Sequence, residues 1–248
     1  IMEDSITLRP QPGFQEKFLS SSADIVIGGS GAGVGKSWAL LLEYLRNKDI
    51  KGFNSVFFRR TSPQITLPDG LWDTSMKIYP HVGAIPIKSN YRWSFRDEKN
   101  NEVSKLKFSH LEYETNLLDW MGSQIGYLAF DELTHFSEKM FFYLLSRNRS
   151  TCGVKPYVRA TCNPDPDSWV AKIIEWWIDQ QTGYPIPERD GVIRYFIKDG
   201  KNYIWGDSIK EVLEKAKYFV TKITDANPEI KPETLVKSLT FISGSIYD

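Results

Sequence analysis

The residues best suited to chemistry lie between two predicted regular elements. Gly29-Ser30-Gly31-Ala32-Gly33-Val34-Gly35-Lys36-Ser37 follows the apolar run 25–29. It precedes the segment 36–47, where Leu41, Leu42 and Leu45 give a helical apolar face. Strand, glycine-rich turn and helix, in that order, make a phosphate-binding loop. The glycines let successive backbone N–H groups point at phosphate oxygens, and the helix N-terminus adds its dipole. Lys36 supplies a point charge to the β- and γ-phosphates, and the Ser37 hydroxyl is placed to ligate Mg²⁺. The commoner form of the motif has glycine where this chain has Ser30.

A second constellation is Asp131-Glu132, after the continuous apolar run 125–130. Open α/β sheets bind ligands at the carboxyl ends of their strands. An Asp there can hold Mg²⁺ through a water, and the adjacent Glu can orient and deprotonate an attacking water. Asp131 also has the chemistry of a helix N-cap; beside a phosphate loop the functional reading is preferred. A third strand, 156–162, ends in Thr161, Cys162 and Asn163. Asn163, with Thr161 as the alternative, is the candidate to touch the γ-phosphate and report its loss. The same Asn-Pro pair could simply end a strand in a turn.

Arg59 and Arg60 end the run 55–60 and so face the ligand edge. Between Arg147 and Asn163 stand Arg147, Arg149, Lys155 and Arg159, with no acidic residue. Such arginines stabilise transition-state charge, from within the chain or from a neighbour, or hold DNA phosphate. His81, His110 and His135 lack metal-like grouping and read as structural. Cys152 and Cys162 are too few for a disulfide framework and read as reduced thiols.

The elements that must position these groups alternate. Strands are predicted over 25–29, 55–60, 125–130, 156–162 and 237–243. Helices are predicted over 36–47, 138–147, 169–180 and 209–220. Alternation of this kind gives a mainly parallel sheet with helices on both faces. Two hairpins, 91–95 with 103–111 and "VIRYFI" with "NYIW", read as decorations on it. The 248 residues fit one large α/β domain. No apolar run approaches the 18 residues or so of a membrane span. Lys and Arg (31) balance Asp and Glu (31), which counts against a polybasic DNA binder but leaves room for a local basic patch.

Several blocks together resemble one family. These are "FQEKFLSSSADIVIGGSGAGVGKSWALLLE", "FFRRTSPQI…GLWD", "GSQIGYLAFDELTHFSEKMFFYLLSRNRS", "RATCNPDPDSWV" and "KSLTFISGSIYD". The chain is similar in order, from about Leu8 to Asp248, to the ATPase domain of the large terminase subunit of tailed bacteriophages. The resemblance implies an α/β P-loop NTPase of the ASCE type, with a mainly parallel central sheet, helices on both faces and added β-hairpins. It implies an ATP- and Mg²⁺-dependent motor that drives double-stranded DNA into a procapsid. The implied partners are the portal protein, a small terminase subunit and further copies in a ring, the isolated domain being monomeric. No membrane is involved, and the expected location is the host cell cytoplasm.

By the same resemblance, Gly29, Ser30, Gly31, Ala32, Gly33, Val34, Gly35, Lys36, Ser37 and Trp38 contact ATP, and Gln15 reads adenine. Ser37 and Asp131 hold the metal, Glu132 is the catalytic base, and Thr161 and Asn163 couple hydrolysis to movement. Some members carry an arginine inside the phosphate loop; this chain does not. The catalytic arginine is then sought among Arg59, Arg60, Arg147 and Arg149. The residues 1–248 read as the N-terminal motor domain, without the C-terminal nuclease. A helicase- or recombinase-like ATPase shares the loop and acidic pair; "RNRS" and "NPDPDSW" separate the two readings. A non-enzymatic regulator is disfavoured by the intact Lys36, Ser37, Asp131 and Glu132.

Overall fold

A computed structural model describes residues 7–29, 31, 33 and 35–244. Ser30, Ala32 and Val34 of the expected loop lie outside the described residues. The strands are β1 (Ile25–Gly29), β2 (Asn54–Arg59), β3 (Ile85–Ile87), β4 (Arg92–Arg96), β5 (Glu102–His110), β6 (Tyr127–Phe130), β7 (Tyr157–Cys162), β8 (Arg194–Asp199), β9 (Asn202–Gly206) and β10 (Lys237–Ser243). They form one sheet in the order β3-β4-β5-β2-β6-β7-β1-β10-β8-β9. From β5 to β10 every neighbouring pair is parallel.

The two hairpins are not decorations. β5 pairs antiparallel with β4 and parallel with β2, and β10 pairs antiparallel with β8 and parallel with β1. Each hairpin therefore extends the central sheet and covers an edge that would otherwise expose unpaired backbone. β7 lies between the loop strand β1 and the acidic-pair strand β6.

Helices cover both faces. They are α1 (Phe14–Ser20), α2 (Lys36–Tyr44), α3 (Pro63–Thr66), α4 (Leu71–Met76), α5 (Glu138–Leu145), α6 (Trp169–Ile173), α7 (Ile209–Lys215) and α8 (Lys217–Ala226). Side chains alternate along each strand, so the apolar runs feed two cores. Val26 and Phe57 join Phe14, Leu40, Tyr44 and Trp72 on the α1, α2 and α4 side. Ile25, Ile27, Val56 and Phe58 join Phe141, Leu144, Val170 and Trp177 on the α5 and α6 side. A smaller cluster, Ile197, Val212, Ala216 and Val220, seats α7 and α8 on the second hairpin.

The long helices expected over 169–180 and 209–220 are each interrupted. α6 stops at Ile173, and one 3₁₀ turn, Glu175–Trp177, follows. Trp177 is fully buried and its indole Nε1 donates to the Val192 carbonyl (3.0 Å). Ile178 then bridges to Pro185 in antiparallel fashion. Burial of one large indole thus overrides helical periodicity. The second helix divides at Ala216 (φ −96°, ψ 15°), while its buried stripe Val212, Ala216, Val220 continues through the break.

Candidate active site

Sheet register assembles the site. Phe58 pairs with Phe130, so Arg59 comes beside Asp131. Phe130 pairs with Ala160, so Asp131 also comes beside Thr161. Gly29 pairs with Cys162, which brings the start of the phosphate loop to the same edge. Four strands far apart in sequence therefore end their carboxyl termini in one line.

Asp131 is the hub. Its Oδ1 accepts from Thr161 Oγ1 (2.6 Å). Its Oδ2 accepts from Ser37 Oγ (2.7 Å) and from Arg59 Nη2 (2.5 Å). Arg59 Nη2 also lies 3.3 Å from Ser37 Oγ, and its Nη1 donates to the Gln64 carbonyl (3.0 Å). Asp131 and Thr161 are buried. A hydroxyl and a carboxylate oxygen in contact are the hard donors that Mg²⁺ takes from protein, since it keeps several of its waters. Ser37 and Asp131 fit that ion.

A second chain of contacts runs beside the first. Lys36 Nζ donates to the Cys162 carbonyl (3.2 Å) and to Asn163 Oδ1 (2.5 Å). Asn163 Nδ2 in turn donates to Glu132 Oε1 (3.2 Å) and Oε2 (3.1 Å). Asn163 thus joins the loop lysine to the acidic residue. Glu132 has φ 59° and ψ 59°, a left-handed backbone in a residue with a Cβ. Such strain costs on the order of 1–3 kcal/mol and gathers at functional sites. Here it turns the Glu132 carboxylate into the cleft while the Asp131 side chain stays under it. The cleft is about 360 Å³ and is lined by Lys36, Ser37, Trp38, Arg59, Glu132 and Asn163. Burial pushes the Cys162 thiol up to about 12.

Gln15 sits behind the loop rather than open to the cleft. It is buried, its Nε2 donates to the Gly35 carbonyl (3.1 Å), and its Oε1 accepts from the Gln11 amide (2.9 Å). Gly35 has φ 70°, and a Cβ there would lie 2.3 Å from Gln15 Nε2. Glycine at 35 is therefore required both by backbone conformation and by the close approach of Gln15. On the opposite face of the sheet a larger cavity, about 550 Å³, opens beside Gly29 and Gly31 against Val170, Ile174, Tyr184 and Phe241. Gln15→Ala is expected to weaken ATP and GTP binding by the same factor, because it would loosen the loop expected to hold their shared phosphates. Titration of both nucleotides checks this; a selective loss of ATP would make Gln15 a reader of the base.

The sequence matches the family described as "Terminase large subunit, T4likevirus-type, N-terminal" over residues 27–239. The chain belongs to this terminase large-subunit family. Among solved structures, the large terminase of a thermophilic bacteriophage aligns with a TM-score of 0.53 at 17% identity, over 66% of this chain and 42% of that one. The large terminase ATPase domain of Thermus phage P74-26 gives 0.53 at 13% identity, over 90% of this chain and 95% of that domain. The first of these terminases, in complex with ADP, gives 0.50 at 14% identity, over 64% of this chain and 40% of that one. The chain therefore spans less than half of the thermophilic-phage large terminase and nearly all of the P74-26 ATPase domain. No curated protein matches it. The fold is that of the phage large-terminase ATPase domains, which are P-loop NTPases.

Within this terminase fold the candidate arginines part company. Arg59 reaches the site. Arg60 points away: its Nη1 donates to the Leu111 carbonyl (2.9 Å) and lies 3.1 Å from Met140 Sδ. Arg147 and Arg149 lie at the other end of β6, where their backbones pair with Ile125. Six residues of extended chain, about 20 Å, separate Ile125 from Asp131. The structure does not bring these two arginines to the cleft of their own chain.

Of the acid-free run, Arg149 and Lys155 are exposed while Arg147 and Arg159 are tied down. Arg159 is buried and donates to the carbonyls of Ala23 (3.0 Å), Val158 (2.9 Å) and Ser21 (3.0 Å). Lys155 pairs with Asp24 (2.5 Å), and Arg147 lies over the Tyr143 ring (5.0 Å). The residue that sequence reasoning missed is Asn148. Its Nδ2 donates to Ile125, Gly126 and Tyr157 carbonyls (2.9, 3.2 and 3.2 Å) and ties together the amino ends of β6 and β7.

Proposed function

We propose that this terminase domain hydrolyses ATP to drive double-stranded DNA into a procapsid, acting in the host cell cytoplasm within a ring of copies docked on a portal. The observation that carries the ATPase reading is the contact chain Lys36–Asn163–Glu132 beside the Asp131 hub. The reading of DNA as cargo, and of the portal and small terminase subunit as partners, rests on membership of the terminase family.

The roles follow from position. The backbone amides at the start of α2 and Lys36 hold the phosphates. Ser37 and Asp131 would hold Mg²⁺, which would offset the charge of the phosphate oxygens. Glu132 accepts the proton of the attacking water, and Asn163 aims its carboxylate. Phosphoryl transfer is largely a matter of such positioning and charge stabilisation. Asn163 also senses nucleotide state: a phosphate that draws Lys36 Nζ off Asn163 Oδ1 frees that side chain to move. Because Asn163 touches Glu132 as well, phosphate occupancy and base position become linked. Arg59 is the arginine of this chain within reach of the reacting groups.

The test is packaging by the full-length chain that contains this domain, with procapsids bearing portals and linear duplex DNA. Wild type is expected to make DNA resistant to added nuclease in an ATP-dependent way, and Glu132→Gln is expected to protect none. Strand separation of forked DNA by the domain alone, with no packaging by the full chain, would favour the helicase-like reading instead.

A further inference from the structure

We propose that the amino edge of the sheet, opposite the cleft, is a seat for the phosphate backbone of duplex DNA, with Lys51, Arg149 and Lys155 as its charged contacts. The inference rests on the reading of DNA as cargo above and adds the surface that meets it.

Charge divides between the two edges of the sheet. The segments that leave the carboxyl ends of β5 and β7 carry Glu112, Glu114, Asp165 and Asp167, beside the acidic pair after β6. The segments that enter the amino ends of β6, β7 and β1 are the reverse: 121–126, 146–156 and 19–23 contain no acid. Asp24, which follows the last of these, is buried and paired with Lys155 (2.5 Å). Glu43 is buried and paired with Arg46 (2.9 Å). A chain of zero net charge thus presents one cationic edge, and a polyanion is steered to it and away from the cleft.

The cations stand in a row. Lys51 precedes β2, Arg149 lies beside Ile125 at the entry to β6, and Lys155 precedes β7. A Cβ at Gly52 would lie 3.6 Å from Cys152 Cβ, so the Lys51 turn abuts the Arg149 turn. Strands stand about 4.8 Å apart, so the edge from β2 through β6 and β7 to β1 spans roughly 14 Å. That length of duplex axis carries about eight phosphate charges. All three cations are exposed. Arg149 Nε donates to the Ser146 carbonyl (3.0 Å), which points the rest of the guanidinium outward. Asn148, tied to three carbonyls, fixes the turn from which Arg149 projects, so less order is lost on binding.

Neutral donors surround the row. Ser20, Ser21, Ser22 and Asn47 line a cavity of about 390 Å³ together with Arg46 and Lys155. Gln124, Ser150 and Thr151 flank Arg149. Such hydroxyl, amide and cationic groups hold phosphate and sugar without reading bases, which suits a cargo of any sequence. A neighbouring copy's nucleotide would ask for one arginine; a row across several strands asks for an extended anion.

The test is fluorescence anisotropy of a labelled linear duplex titrated with this chain at about 50 and about 200 mM salt. The triple variant Lys51→Gln, Arg149→Gln, Lys155→Gln is expected to bind about tenfold weaker or worse at the lower salt. Its slope of log affinity against log salt should flatten by about 3, one for each lost contact. Two duplexes of unrelated sequence should lose equally; a loss confined to one would overturn the backbone assignment. Unchanged affinity and slope overturn the proposal. Should the triple variant not fold, Lys51→Gln with Arg149→Gln keeps the Lys155–Asp24 pair and is expected to flatten the slope by about 2; no change overturns the proposal equally. Unchanged duplex binding with ATP turnover that falls and depends on protein concentration would give Arg149 to a neighbouring copy's nucleotide instead. Wild type that binds no duplex overturns the surface, and packaging by the full-length chain then decides separately whether DNA is the cargo.

Discussion

Glu132→Gln is expected to abolish most ATP turnover while leaving ATP bound. The substitution keeps side-chain length and shape, and a glutamine amide can still offer its oxygen to Asn163 Nδ2, which now touches both carboxylate oxygens. What it removes is the ability to take a proton from water. Loss of a positioned general base lowers the rate by about 10²–10⁴-fold, or roughly 3–5 kcal/mol of barrier. Affinity is expected to persist because the phosphates meet Lys36, Ser37 and the amides of α2, none of which changes. Single-turnover phosphate release and equilibrium binding, measured on the same preparation, separate the two effects. A wild-type turnover rate in Glu132→Gln would place the base elsewhere.

The second large effect concerns stability rather than chemistry. Asn148 is 9% exposed, and its single amide nitrogen serves three carbonyls at the amino ends of β6 and β7. Two of those carbonyls keep backbone donors when the side chain is gone, from Arg149 to Ile125 and from Tyr157 to Gly126. The loss in Asn148→Ala is therefore partial, about 2 kcal/mol, which lowers Tm by roughly 4–8 °C in a chain of this size. Asn148→Asp is expected to cost more, since a buried carboxylate would face carbonyl oxygens with no donor of its own. The kcat of folded Asn148→Ala should match wild type, because the residue lies about 20 Å from the cleft. An unchanged Tm would contradict the structural role; a fall in kcat at unchanged Tm would bring the Arg147 to Arg149 turn into the chemistry.

The loop lysine and the acidic pair were legible because each is a local pattern: a strand, a few small or acidic residues, then a turn or helix. Which arginine joins them was not. Arg59 and Arg60 are neighbours in sequence, and the two-residue period of a strand sends them to opposite faces. Only the pairing of β2 with β6 decides which face holds Asp131. That register is fixed by residues more than 70 positions apart in the chain. Asn148 was hidden for a different reason. It stands between two arginines in a stretch whose composition reads as solvent-facing, and its partners are all backbone carbonyls, which no side-chain pattern announces.

The hairpins show the same limit at the level of the fold. Alternation revealed that 91–95 and 103–111 pair with each other, but not that the second of them also joins β2. The divided helix after Trp169 shows it again. Apolar spacing there is helical, yet the indole of Trp177 is satisfied only by turning the backbone toward Val192.

The claim on which the rest depends is that Lys36, Asp131 and Glu132 form a metal-dependent ATP hydrolysis site. The most direct measurement is steady-state phosphate release from ATP by the purified domain, with Mg²⁺ and with EDTA, beside Lys36→Ala under the same conditions. The account predicts release by wild type only with Mg²⁺, and none above background from Lys36→Ala. Release that persists in EDTA, or in Lys36→Ala at the wild-type rate, would contradict it.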